Sequence, residues 1–200
     1  MIYTVTLNPA RDTTVEIPSL TVDGVNRITT MRTDPGGKGI NVSKVIQKLG
    51  GKSMAAGILG GDTGRAIQSS LEAMELNTWF QFVEGETRTN MKIIDPVNHT
   101  NTDINEPGVT VSEKILDSLL KELLKKVSQG DIAVISGSMP KGSPKETYFL
   151  WTKAFREKGA KVILDADGEL LKAGLKASPY LIKPNDHELS QLVGRTLKTP

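Results

Sequence analysis

Two hundred residues can bury one substantial core, so the length predicts a single α/β-sized domain with at most a small appendage. Against 23 Asp and Glu stand 25 Lys and Arg, a formal charge of +2 that lacks the concentrated basic excess of a nucleic-acid binder. With 0 Cys and 2 His, the composition speaks against disulfides, thiolate metal sites and imidazole metal clusters, and a reducing compartment is expected.

The first residues, Met1 to Leu7, form a short β-type run with no charged leader or cleavage signal, and no stretch approaches the roughly 18 apolar residues of a membrane span. A soluble, cytoplasmic protein without a membrane partner is expected. Residues 2–7 read as a buried strand. Val42, Val45, Ile46 and Leu49 recur at i, i+3, i+4 and i+7, predicting a helix that Gly50 and Gly51 end, with a strand at Ser53–Leu59 after it. Asp62 or Thr63 can cap a second helix with Ile67, Leu71 and Met74 on one face. Ser112 opens a third, whose apolar positions run from Ile115 and Leu116 to Val127 while lysines fill its outer face. Ile132–Ile135 is the continuous apolar run of a strand buried on both faces. Ser143-Pro144-Lys145-Glu146 then offers an N-cap, a first-turn proline and a capping-box acid for a helix that Gly159 closes. Further short strands at Val162–Leu164 and Tyr180–Ile182 complete an alternation typical of a parallel, doubly wound sheet flanked by helices.

Two stretches break that alternation. Residues at about 15–33 and 84–105 are rich in Thr, Asn and β-branched side chains and lack helical periodicity, which predicts extended hairpins. They are expected to form one small sheet beside the parallel core and to serve as a lid.

Chemistry concentrates first at Pro35–Asn41, where three of four consecutive residues, Gly36, Gly37 and Gly39, are glycine and a helix follows. A helix N-terminus favours anionic or hydroxyl oxygens, and Lys38 adds a mobile cation. A glycine-rich turn with a solvated lysine is the structural alternative. Known nucleotide loops do not fit. Gly51-Lys52-Ser53 ends like a Walker A loop, but Ile46 stands at its first glycine and the order is helix then strand. Gly37-Lys38-Gly39 lacks the later glycine of a dinucleotide fingerprint, since Val42 occupies that place, and Asp165–Glu169 is too short for a calcium loop.

Several segments taken together resemble a known family. They are Thr6-Leu7-Asn8-Pro9-Ala10-Arg11-Asp12, Asp34-Pro35-Gly36-Gly37-Lys38-Gly39-Ile40-Asn41-Val42-Ser43, Gly60-Gly61-Asp62-Thr63-Gly64 and Thr87-Arg88-Thr89-Asn90. Ile104-Asn105-Glu106-Pro107-Gly108, Ser136-Gly137-Ser138-Met139-Pro140 and Lys183-Pro184-Asn185-Asp186-His187-Glu188 follow. In this order they resemble the motifs of the ribokinase-like (PfkB) carbohydrate kinases, and within them the 1-phosphofructokinase and tagatose-6-phosphate kinase branch.

The resemblance implies a Rossmann-like α/β domain with a small β lid, a requirement for ATP and Mg²⁺, a phosphorylated ketohexose as acceptor, and a homodimer formed through the lids. Asp12, just past the first strand, is expected to meet sugar hydroxyls, with Gly37, Gly39 and Asn41 approaching the same sugar. Lys38, Arg27 and Arg88 are the candidate phosphate cations, with Asn105 nearby; a solvated lid surface is the alternative for them. Ser138, directly after the strand at 132–135, borders the substrate by the same resemblance, although a simple turn explains it as well.

Lys183, Asn185 and Glu188 correspond to the nucleotide side, with Glu188 indirectly near Mg²⁺. Asn185 and Glu188 also have the spacing of a capping box for a helix at His187–Val193 before Gly194, and both readings stand. His187 is expected on a helix face. Arg11, where the family carries an apolar residue, either pairs with Asp12 or points to solvent.

The family's general base belongs to a later Gly-Ala-Gly-Asp motif that does not occur in these residues, so the base is expected beyond Pro200 and the 200-residue chain alone is expected to be inactive and either marginally soluble or prone to reassociate. The expected reaction is phosphorylation of fructose 1-phosphate to fructose 1,6-bisphosphate. Tagatose 6-phosphate is the alternative acceptor, and a non-catalytic sugar-phosphate binder or dimer scaffold the alternative of another class.

Overall fold

The computed structural model describes residues 1–197; the last three residues of the expected domain lie outside the described residues. Its elements follow in chain order as β1 (Ile2–Thr6), β2 (Ala10–Glu16), β3 (Thr30–Gly36), α1 (Lys38–Lys48), β4 (Ser53–Gly60), α2 (Gly61–Ala73), β5 (Asn77–Val83) and β6 (Arg88–Asp95). After them come β7 (Thr100–Asn105), α3 (Glu113–Lys126), β8 (Ile132–Ser136), α4 (Thr147–Glu157), β9 (Lys161–Asp165), α5 (Gly168–Leu175), β10 (Leu181–Ile182) and α6 (Asp186–Val193).

Six strands form one sheet in the order β10-β9-β8-β1-β4-β5, and every pairing in it is parallel. Alternate residues of a strand face opposite sides, and β1 shows this directly. Tyr3, Val5 and Leu7 join Leu119, Leu123, Tyr148, Trp151 and Phe155 of α3 and α4 in the larger core. Thr4 and Thr6 instead meet α1 through hydroxyl contacts to Ser43 Oγ and the Ile40 amide. A smaller core of Ile40, Leu59, Ile67, Leu71 and Leu76 fixes α1 and α2. Helices on both faces of a parallel sheet make this the doubly wound, Rossmann-like fold that the alternation predicts. Among the described residues, no helix is long and apolar enough to cross a membrane.

The second sheet has the order β3-β2-β6-β7, with a parallel β2–β6 pair between two antiparallel ones. It is the expected lid with different bounds. Its central strand begins at Ala10 rather than near 15, and residues 17–29 form a loop instead of strand. Local propensity misleads here because Ala10–Thr14 gains its strand geometry from partners on both sides, Arg32–Gly36 and Arg88–Lys92.

Caps differ in the same way. α2 starts at Gly61, and neither Asp62 nor Thr63 caps it; their backbone amides donate to the Glu86 carboxylate from across the chain, which holds that carboxyl below its usual range. Ser143–Glu146 forms a turn, in which Ser143 Oγ donates to Pro140 O and Thr147 Oγ1 to Pro144 O, so α4 begins only at Thr147. α1 starts earlier than its apolar periodicity suggests, at Lys38, with Gly37 at φ 120 as its N-cap. The helix then lies tight on β1: a Cβ at Gly39 would stand 2.6 Å from Thr6 Oγ1 and 2.9 Å from Val5 O.

Candidate active site

Crossing to β4 on one side and β8 on the other makes the carboxyl end of β1 a switch point, where open α/β sheets gather ligands. A cavity of about 280 Å³ opens there beneath the lid, lined by residues that include Asn8, Asp12, Lys38, Asn41, Arg88, Asn90 and Ser138. A larger cleft of about 610 Å³ continues from it between the inner face of the lid and α1, sharing Asp12, Asn41 and Asn90 and reaching Lys44 and Asn105.

Arg88, the first residue of β6, is the best-fixed cation of the cavity. Its Nη2 donates to Asn8 O at 3.0 Å and Ser138 Oγ at 3.3 Å, and Nη1 to Glu106 O at 3.4 Å. Every one of these acceptors is neutral, and its Nε is buried without a partner. Burial draws the guanidinium pKa below its ordinary value, with Asp12 opposing. Asn8 braces this corner: its Nδ2 donates to Pro107 O at 3.2 Å and to Ser138 Oγ and Met139 O at 3.3 Å. A partly buried guanidinium that donates to no carboxylate is a seat for an oxyanion.

Asp12 sits on lid strand β2 rather than on a loop after β1. Its Oδ1 accepts from Asn90 Nδ2 at 3.0 Å, and its Oδ2 lies over Gly36, where an added Cβ would stand 2.0 Å away. A carboxylate accepts only, so it presents its free acceptor positions to hydroxyl donors. Arg11 points away, its Nη2 donating to Thr89 Oγ1 at 3.2 Å, so it does not pair with Asp12.

On the other side, Lys38 Nζ stands 3.2 Å from Asp165 Oδ1 and 3.9 Å from Glu188 Oε1, and Lys183 Nζ lies 3.4 Å from the same Asp165 oxygen. Glu188 Oε2 accepts from Asn185 N at 2.9 Å while Asn185 Oδ1 accepts from Glu188 N at 2.8 Å, so the capping box of α6 is formed. Glu188 Oε1 takes no part in the cap and lies 3.9 Å from Lys38 Nζ.

The structure thus gathers Asp12, Gly37, Lys38, Asn41, Arg88 and Ser138 around one cavity, with Gly39 beneath it in the first turn of α1. It places Asn105 in the adjoining cleft, paired across the sheet with Asn90, which lines both spaces. Arg27, exposed on the 17–29 loop, lines neither space. Asn8, Asn90 and Asp165 escape sequence reasoning. Asp165 had a usable signal, a carboxylate at the end of an apolar strand run. Asn90 had none, because its partner Asp12 comes from a distant strand. Among the described residues, no group of three or more His, Cys, Asp or Glu could hold a metal ion.

Comparison with known proteins agrees with this geometry. Residues 5–200 match the model of the pfkB family of carbohydrate kinases. A 1-phosphofructokinase of Bacillus subtilis is 39% identical over 98% of this chain, and the chain spans 64% of that relative's length. Phosphofructokinase-2 of Escherichia coli, crystallised with substrates and products, superposes with a TM-score of 0.93 at 34% identity, covering 100% of this chain and 65% of that one. Ribokinase of Arabidopsis thaliana, crystallised with ribose and ATP, shares the fold at a TM-score of 0.73 and 23% identity, over 99% of this chain and 64% of that one.

Proposed function

The chain belongs to the pfkB family of carbohydrate kinases, and from that premise we propose that the whole protein transfers a phosphoryl group from ATP to a ketohexose phosphate, converting fructose 1-phosphate to fructose 1,6-bisphosphate. The observation that carries this reading is Arg88, a partly buried guanidinium with an unpartnered Nε, placed in one cavity with Asp12. An anion seat beside a hydroxyl acceptor suits a phosphosugar better than a free sugar. The name of the relative favours fructose 1-phosphate among such sugars.

In this reading Arg88 and Ser138 hold the phosphate already on the sugar. Asp12 and Asn41 take its hydroxyls, and Gly37 and Gly39 let the backbone approach. Asn105 adds a second amide beside Asn90 in the cleft, and Arg27 joins only when the 17–29 loop moves. Lys183 and Asn185 belong to the nucleotide side, where Asn185 keeps its Nδ2 free of the cap. ATP supplies the transferred group. A Mg²⁺ accompanying its phosphates would neutralise their charge and keep part of its water shell, and Glu188, whose Oε1 is left out of the cap, would be the residue to act on it, indirectly. Dimerisation through the lid draws support from its outer face, where Met31 is 67% and Ile104 54% exposed.

Calorimetric titration with fructose, fructose 1-phosphate and tagatose 6-phosphate tests the reading. Fructose 1-phosphate should bind more tightly than the other two, and Arg88→Ala should weaken it at least ~10-fold, the scale of a lost charge-assisted contact. Equal affinity for fructose and its phosphate would overturn the assignment.

A further inference from the structure

Lys38 opens α1, a helix whose first turn carries no acidic residue. A cation at a helix N-terminus opposes the dipole, so this choice runs against helix chemistry and requires compensation. The compensation comes from two distant carboxylates, Asp165 at 3.2 Å and Glu188 Oε1 at 3.9 Å from Nζ. Asp165 is only 8% exposed and is fixed by the chain around it: the Gly137 amide donates to its carbonyl oxygen, and the buried Tyr148 hydroxyl donates to Gly137 O at 2.8 Å. Gly137, at φ 99, packs beside the Lys38 stem, where an added Cβ would stand in ordinary contact with Lys38 Cβ at 3.8 Å. Lys183 converges on the same Asp165 oxygen at 3.4 Å.

Two ammonium groups therefore share one carboxylate oxygen at the boundary between the sugar cavity and the Asn185–Glu188 segment, whereas Arg88 is bound to Asn8 and Ser138. Both cations line the one cavity, but they are held differently, Arg88 by the neutral Asn8 and Ser138 and Lys38 by the carboxylates of Asp165 and Glu188.

We propose that Lys38 is the cation for the phosphoryl group being transferred, not for the phosphate that the acceptor already carries, and that Asp165 is the positioning residue that holds Lys38 and Lys183 ready for it. This rests on the phosphosugar kinase reading above. In the transfer the acceptor hydroxyl oxygen forms the new P–O bond, the donor's bond from that phosphorus to its bridging oxygen breaks with the electron pair leaving on the diphosphate, and the hydroxyl proton passes to a carboxylate base. Lys38 compensates charge on the moving group and stays with it in the bisphosphate product.

The test needs no turnover. Fructose 1-phosphate and fructose 1,6-bisphosphate are titrated calorimetrically into the protein, Lys38→Met and Asp165→Asn, with thermal melts to show that each variant is folded. Lys38→Met should weaken the bisphosphate at least ~10-fold and the monophosphate less than ~2-fold. Asp165→Asn should weaken the bisphosphate selectively by a smaller factor, and Lys38→Arg should restore most of the affinity. Should Lys38→Met weaken both sugars equally, or neither, the proposal is overturned while the kinase reading survives. If the unaltered protein binds neither sugar, the phosphosugar reading itself fails and takes this inference with it.

Discussion

Asn185 and Glu188 cap each other at the start of α6, yet only one oxygen of Glu188 is used in doing so, and the other faces Lys38 across the site. Structural and chemical roles therefore separate by substitution. Glu188→Gln keeps a carbonyl that can accept from the Asn185 amide, so its stability should stay within a few tenths of a kcal/mol of the parent; Glu188→Ala should lose about 1 kcal/mol. Urea unfolding measures both, and equal losses in the two variants would show that charge, not capping, is what the helix needs.

Gly36 has its Cα against Asp12 Oδ2, the position where a Cβ would stand 2.0 Å from that oxygen. Gly36→Ala should therefore push the carboxylate off its Asn90 partner without touching the core. The expected result is a loss of phosphosugar affinity of about 10-fold or more, or ~1.4 kcal/mol, with a much smaller change in melting temperature. Unaltered affinity would remove Asp12 from the sugar contacts.

Asp95 ties the lid loop to the β6–β7 turn. Burial by itself raises its pKa, but the side chain and amide of Asn98 and the amides of Leu20 and Ser19 outweigh it and hold the carboxyl well below the usual range. A pKa depressed in the folded state contributes stability that is present above the unfolded value, about 4, and lost as pH falls below it. Asp95→Asn should therefore lower the melting temperature most near neutral pH, and the gap to the parent should shrink below about pH 4. A gap of constant size across that window would contradict the linkage.

Ser43, with 0% exposure, stands at the centre of a buried hydroxyl chain between α1 and the sheet. Its Oγ lies 2.7 Å from Thr4 Oγ1 and 2.8 Å from Ser53 Oγ. Ser43→Ala leaves both neighbours without that partner, and an unsatisfied buried polar group costs about 1–3 kcal/mol. Chemical unfolding should show a loss in that range, whereas a neutral substitution would mean that the two remaining hydroxyls find other partners.

Periodicity and turn chemistry along the chain determined the alternating α/β order, the buried Ile67 and Leu71 of α2, the apolar face of α3, the αL glycine closing α6, and the existence of a lid, because each depends on neighbours a few residues apart; the stripe expected on α1 is not its buried face, since Val45 is 55% and Leu49 81% exposed while Ile40 and Ser43 are buried. The resemblance to the family's motifs drew Asp12, Asn41, Arg88 and Ser138 into one expected site, and all four line one cavity. What the chain could not disclose locally was which distant group each side chain meets. Glu86 caps α2 from 23 and 24 residues away, Asn90 holds Asp12 from 78, and Asp165 takes Lys38 from 127. Those pairings arise from strand order and from the crossing of α1 over β1, so only the tertiary structure decided that Lys38 faces Asp165 and Glu188 while Arg88 is held by Asn8 and Ser138.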